Sequence, residues 1–83
     1  NSARSLALHF CAKEAVVKAL GTGFCPRMTL HDVILVPDPL GRPEIEFSGR
    51  GAAFVAERGA GATHISLTDD AGIVFGVCVM LKA

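Results

Sequence analysis

Two side chains of opposite charge, Glu14 and Lys18, lie four residues apart in the stretch FCAKEAVVKALGTG, Phe10 to Gly23. At helical spacing both project from one side of the helix, one turn apart. As an exposed ion pair they would stabilise the helix by about 0.3–0.5 kcal/mol. As a functional pair they would set a hard-cation ligand, Glu14, beside an ammonium that faces phosphate, Lys18. Gly21, Thr22 and Gly23 follow as a flexible turn. That turn either ends the helix or lets backbone N–H groups approach an anion. His64, Ser66, Asp69 and Asp70 complete the acid–base vocabulary. A Ser-His-Asp hydrolase can be assembled from them on paper, but no nucleophile elbow or ordered oxyanion hole accompanies it. The chain has no GxxxxGK[ST] phosphate loop and no GxGxxG fingerprint. Phosphoryl-type transfer with magnesium is the best fit to these residue types. One glutamate, a pyrophosphate and waters fill part of an octahedral shell, and an ammonium offsets charge developing on the leaving group.

The elements that must position these groups follow from the hydrophobic pattern. Asn1 to Leu20 reads as a helix capped at Ser2, with Leu6, Phe10, Val17 and Leu20 as its apolar stripe and Arg4 and His9 on the more polar side. Gly21 supplies the stop. Phe24 to Leu30 reads as a loop, His31 to Val36 as a buried strand, and Glu44 to Phe47 as the returning strand of a hairpin. Gly41-Arg42-Pro43 is the turn before it, since Pro43 cannot donate to a ladder. Ser48 and Gly49 open a short helix over Gly51 to Arg58, closed by Gly59. Thr63 to Thr68 alternates, with Ile65 and Leu67 on one face and His64, Ser66 and Thr68 on the other. Asp69 to Gly72 reads as a turn, and Ile73 to Leu81 as an almost continuously apolar, buried strand. The order α-β-β-α-β-β, with antiparallel hairpins, gives an α+β domain over residues 1–83.

Composition narrows the function classes. Hydrophobic residues make up 51% of the 83 and charged residues 19%, so the chain folds rather than remaining disordered. Eight basic and eight acidic side chains cancel, which argues against nucleic acid held by a basic face. No run reaches transmembrane length and no charged-then-apolar leader is present, so no membrane association is expected. Cys11, Cys25 and Cys78 are odd in number and lack CxxC spacing. They read as reduced thiols of a cytoplasmic protein, with Cys11 and Cys78 in the core. So much aliphatic surface on so short a chain implies burial against another chain or another segment. The opening on Asn1 rather than Met fits an upstream portion cut away or omitted.

The wording F-x-A-K-E-A-x-x-K-A-x-G-T-G closely resembles the signature of the 4′-phosphopantetheinyl transferases, nearest to the short holo-acyl-carrier-protein synthases. LGRPEIEFSG (Leu40 to Gly49) and HISLTDD (His64 to Asp70) fall in that family's order, so the resemblance covers nearly the whole chain. It implies the family's α+β fold and transfer of the 4′-phosphopantetheine arm of coenzyme A to a serine of an acyl carrier protein, in fatty acid or polyketide (lipid) biosynthesis. It implies Mg2+, coenzyme A as substrate and a homotrimer. By position, Glu14 would bind the metal, Lys18 would face the phosphates, and Gly21, Thr22 and Gly23 would pack beside the nucleotide. Gly41, Arg42 and Pro43 would contact the adenine end, often across a subunit boundary. His64 and Ser66 match the H-x-S motif, which would lie near the phosphates. Three features depart from the pattern. His9 stands where the family usually has a phosphate-facing arginine, Asp69 stands where a second histidine is frequent, and no G-x-D strand with a metal-binding aspartate precedes Asn1. These departures keep a second reading open, a non-catalytic scaffold or carrier-protein-docking module of the same fold. A third reading is a small-molecule-binding domain of an unrelated α+β type.

Overall fold

The structure, a computed structural model, describes residues 2–83. Helix α1 spans Ser2–Leu20, and a loop leads to the hairpin β1 (Val33–Pro37) and β2 (Pro43–Phe47). Helix α2 (Gly49–Glu57) then leads to a second hairpin, β3 (Ala60–Asp70) and β4 (Ile73–Lys82). Both hairpins are antiparallel and form separate two-stranded sheets. The expected α+β class and element order are therefore observed. The cap expected at Ser2 involves Asn1 and the Ser2 side chain, which lie outside the described residues.

Helix α1 ends where the sequence says it should. Gly21 adopts φ +85°, a left-handed conformation that a side chain would resist. Its N–H reaches back to the carbonyls of Val17 (3.1 Å) and Lys18 (3.0 Å). Helix α2 is capped by Ser48, whose Oγ accepts a hydrogen bond from the Gly51 N–H at 3.0 Å. The second hairpin turns at Ala71 and Gly72, both with positive φ (52° and 78°), as a tight two-residue connection requires. Asp69 and Asp70, expected in that turn, instead finish β3. Pro43, expected in the first turn, opens β2 opposite Pro37. At a strand's first residue the missing N–H costs no ladder bond.

The core gathers Ala12, Val16, Val17 and Leu20 from α1, Met28 from the loop, Val33 from β1 and Val55 from α2. Two expectations change here. The stripe Leu6, Phe10, Val17, Leu20 is not one buried face, for Leu6 is 71% exposed and Phe10 53% exposed, whereas Val17 is buried. The first half of α1 therefore overhangs the core, and Ala12 and Val16 take the inward positions. Strand β4 is likewise covered on one side only. Val74, Gly76, Cys78 and Met80 turn towards α1 and the core, whereas Ile73, Phe75, Val77, Val79 and Leu81 remain exposed along the outer face. Cys11 and Cys78 are half-buried rather than fully enclosed, and burial pushes the Cys78 thiol pKa up.

One buried carboxylate ties the loop, the first hairpin and α2 together. Asp32 accepts hydrogen bonds from the Thr29 N–H and hydroxyl (both 2.8 Å), the Ser48 hydroxyl (2.6 Å) and Arg50 Nε and Nη2 (3.0 and 2.7 Å). The Arg50 guanidinium, then Ser48 and Thr29, hold its carboxyl far below the usual carboxylate range. Among the described residues no helix is long and apolar enough to cross a membrane.

Candidate functional site

Glu14 and Lys18 do share one face of α1, with carboxylate and ammonium 3.8 Å apart. The Lys18 side chain is 78% exposed and that of Glu14 35% exposed. They line a hollow of about 420 Å³ at the seam of α1 and β4, with Phe10, Cys11 and Ala15 on the helix and Val74, Phe75 and Gly76 on the strand. The seam is close because residue 76 has no side chain. A Cβ there would stand 3.1 Å from Cys11 Sγ and 3.0 Å from Leu67 Cδ2. Glu14 lies one turn beyond Cys11, so Gly76 helps set how near the carboxylate sits to the sheet.

A second hollow, of about 670 Å³, opens between β2 and β3. It is lined by Asp38, Arg42, Pro43, Glu44 and Ile45 on one side and by Thr63 to Leu67 on the other. Arg42, Pro43, His64 and Ser66, far apart in sequence, are thereby brought to one place. Thr63 Oγ1, in the same wall, is buried without a hydrogen-bond partner among the described residues. The alternation of β3 is as expected, with His64, Ser66 and Thr68 exposed and Ile65 and Leu67 turned inward. Opposite them across the ladder stand Val79, Val77 and Phe75, so the outer face of this hairpin pairs a polar row with an apolar one. Gly41 sits at the tip of the first hairpin, exposed, with φ +85°.

The remaining candidates lie elsewhere. His9 is exposed on α1 and lines neither hollow. Gly21, Thr22 and Gly23 do not present N–H groups to an anion. All three donate to the Val17 carbonyl, at 3.1, 3.2 and 3.2 Å. The last turn of a helix leaves carbonyls unsatisfied, and these N–H groups are the nearest donors. Asp69 has its own partner, an ion pair with Arg4 of α1. On one chain the candidates thus form two separate hollows, not one.

A divalent cation can be tested against the donor set. Among the described residues no three His, Cys, Asp or Glu side chains converge as a metal cage. Glu14 alone offers a half-exposed carboxylate oxygen at the first hollow. This suits magnesium that draws most of its shell from substrate phosphate and water, and does not suit a metal held by protein ligands alone.

Sequence reasoning missed two contributors. Asp38 organises the turn carrying Arg42, and the signal for it was an Asp four residues before the Arg across a Pro-Gly turn. Gly76 brings β4 close against the Glu14 hollow, but nothing in an unbroken apolar run marks which residues face a cavity.

Comparison with known proteins gives a consistent result. The family model described as the 4′-phosphopantetheinyl transferase superfamily matches residues 1–76. A holo-[acyl-carrier-protein] synthase of Salinispora arenicola is 49% identical over 78 residues, covering 94% of this chain and 62% of that protein. The crystal structure of a holo-[acyl-carrier-protein] synthase from Neisseria meningitidis superposes with a TM-score of 0.89 at 31% identity, over 93% of this chain and 62% of the other. That of the Helicobacter pylori synthase, in complex with coenzyme A, gives 0.81 at 27% identity, over 93% and 64%. The chain therefore spans about three-fifths of the length of these relatives.

Proposed function

The chain belongs to the 4′-phosphopantetheinyl transferase superfamily, and from that premise we propose that the protein it represents is a holo-acyl-carrier-protein synthase. The reaction moves the 4′-phosphopantetheine arm of coenzyme A to a carrier-protein serine in fatty acid or polyketide biosynthesis, in the cytoplasm. The serine oxygen forms a new bond to the phosphorus nearest the pantetheine. The bond from that phosphorus to the bridging oxygen breaks, the serine proton is released, and 3′,5′-ADP leaves with the bridging oxygen. The observation that carries the reading is the Glu14–Lys18 pair, held at the α1–β4 seam within a chain that matches the family along nearly its whole length.

Glu14 would hold magnesium together with substrate phosphate and water. The metal, when bound, would neutralise charge on the pyrophosphate. Lys18 stabilises the departing phosphate as a mobile point charge. Gly21 and Gly23 leave room for the nucleotide by lacking side chains, and Thr22 packs beside it; none of the three donates an N–H to it. His64 and Ser66 meet its phosphates in the second hollow, with Gly41, Arg42 and Pro43 around the adenine end, where the Arg42 guanidinium faces the 3′-phosphate; His9 serves as a weaker stand-in for the usual arginine.

The two hollows act as one site when a second protomer supplies the other half. The exposed row Ile73, Phe75, Val77, Val79 and Leu81 supports this. An apolar sheet face of that length is unfavourable in water and suits a subunit interface, here a homotrimer. Incubating the full-length protein with radiolabelled coenzyme A, magnesium and a panel of apo carrier proteins tests the reaction. Label on a carrier serine is the expected result, and absence of label across the panel refutes it.

A further inference from the structure

We propose that Asp38 is a positioning residue of the nucleotide site, holding the turn between β1 and β2 closed and fixing the Arg42 guanidinium at the mouth of the β2–β3 hollow. The inference rests on the proposed transferase reading and names a residue that reading does not use.

The two oxygens of Asp38 do different work. Oδ1 accepts hydrogen bonds from the N–H groups of Leu40 (2.9 Å) and Arg42 (2.8 Å), which bends the chain back on itself. Oδ2 accepts from Arg42 Nε at 2.9 Å. Backbone bonds from the Asp38 N–H to the Arg42 carbonyl (2.7 Å) and from the Gly41 N–H to the Asp38 carbonyl (2.9 Å) complete the closure. The Asp38 side chain is only 7% exposed, whereas that of Arg42 is 73% exposed. One end of the guanidinium is thus anchored in the turn, and the rest stays exposed at the hollow that Asp38 and Arg42 line together with Pro43, His64 and Ser66.

With its Arg42 end 73% exposed, the ion pair is screened and adds little stability, and the two N–H groups at Oδ1 already close the turn without the Nε contact. A long side chain loses rotamer freedom when it grips a ligand, and a guanidinium already held at Nε loses less. Its two Nη groups carry no hydrogen bond to protein among the described residues. They keep the planar fork that matches two oxygens of one phosphate. Burial pushes the Asp38 carboxyl pKa up, but the N–H groups and guanidinium of Arg42, with the N–H groups of Leu40 and Gly41, outweigh it and hold it below the ordinary range. The clamp therefore stays charged at neutral pH.

Binding of 3′,5′-ADP to the full-length protein, by calorimetry with magnesium present, tests the inference through a double-mutant cycle. Asp38→Asn keeps an oxygen for the two backbone N–H groups but replaces the acceptor of Nε with an NH2 group. It should raise Kd roughly tenfold. Arg42→Lys keeps the charge but has no Nε to clamp, and should weaken binding similarly. Combining the two should leave Kd within about twofold of Arg42→Lys alone, because Asp38 acts through Arg42. A merely structural Asp38 would give effects that multiply, and that result overturns the inference. So does an Asp38→Asn protein that binds as tightly as the unsubstituted one, or an Arg42→Lys change without effect. Where Arg42→Lys weakens binding and Asp38→Asn does not, the transferase reading stands and only the clamp falls. No binding to the unsubstituted protein brings down both.

Discussion

Replacing Glu14 by Gln separates a metal ligand from a helix-surface residue. The substitution keeps side-chain length and helix propensity but halves the oxygen donors and removes the charge. On the stability side the loss is bounded by the ion pair to Lys18, 3.8 Å long with a Lys side chain 78% exposed. Such i,i+4 pairs contribute about 0.3–0.5 kcal/mol, and solvent screening takes this towards the lower figure. For a domain of this size about 1 kcal/mol moves the melting temperature by roughly 4–8 °C, so a fall of about 1–4 °C is expected. On the activity side the one carboxylate that the described residues offer to a hard cation at this hollow is lost, and magnesium-dependent transfer should disappear. Thermal melts followed by circular dichroism, alongside the label-transfer assay, give both numbers on one preparation. A melting loss beyond about 10 °C with transfer intact would show that Glu14 supports the fold and binds no metal.

Three further outcomes follow from the packing and the charges. Gly76→Ala puts a methyl 3.0 Å from Leu67 Cδ2 and 3.1 Å from Cys11 Sγ; overpacking of this kind costs about 1–3 kcal/mol, and a denaturant midpoint equal to that of the unsubstituted protein would contradict the close seam. Val77→Asp, on the exposed β4 row, should convert trimers to monomers in light scattering, and an unchanged mass would contradict the proposed interface. The carboxyls of Asp32, Asp38 and Glu57, the last through its hydrogen-bonded ion pair with Arg27, are all held below their ordinary values, so their contribution is present above the unfolded value of about 4 and is lost as pH falls through the folded values. Melting temperature should accordingly stay level from about pH 7 to about pH 5 and drop below about pH 4, and Asp32→Asn should flatten that drop; a protein that melts higher on acidification would contradict the sign.

What the sequence disclosed, and what it withheld, divides along local and long-range physics. The end of α1 at Gly21, the Ser48 cap, the closing Gly59 and the alternation of His64 to Thr68 each depend on a few neighbouring residues, and each appears where the pattern puts it. Met28 does not. It sits in a stretch that reads as a loop, yet it is fully buried, because Cys25 and Met28 pair backbone to backbone and turn its side chain under the core. Asp32 looks like a polar strand start, but two of its partners, Ser48 and Arg50, are 16 and 18 residues away. In β4 the apolar run reads as buried on both faces, and α1 covers only one. The outer face carries the same residue types for a surface that one chain does not fill. The site behaves similarly. Glu14 and Lys18 are a local pair and were legible, whereas the meeting of Arg42 with His64 required two hairpins to dock.

The most direct measurement is complementation between two inactive variants of the full-length protein. Glu14→Gln damages the first hollow and His64→Ala the second, and neither protein should transfer phosphopantetheine alone. Unfolded together in equal amounts and refolded, the two should form mixed trimers in which some interfaces join an intact Glu14 to an intact His64. With random assembly, about a quarter of the unsubstituted activity should return. Label transfer that stays at the background of the separate variants, from mixtures shown by light scattering to be trimeric, would contradict a site shared between protomers.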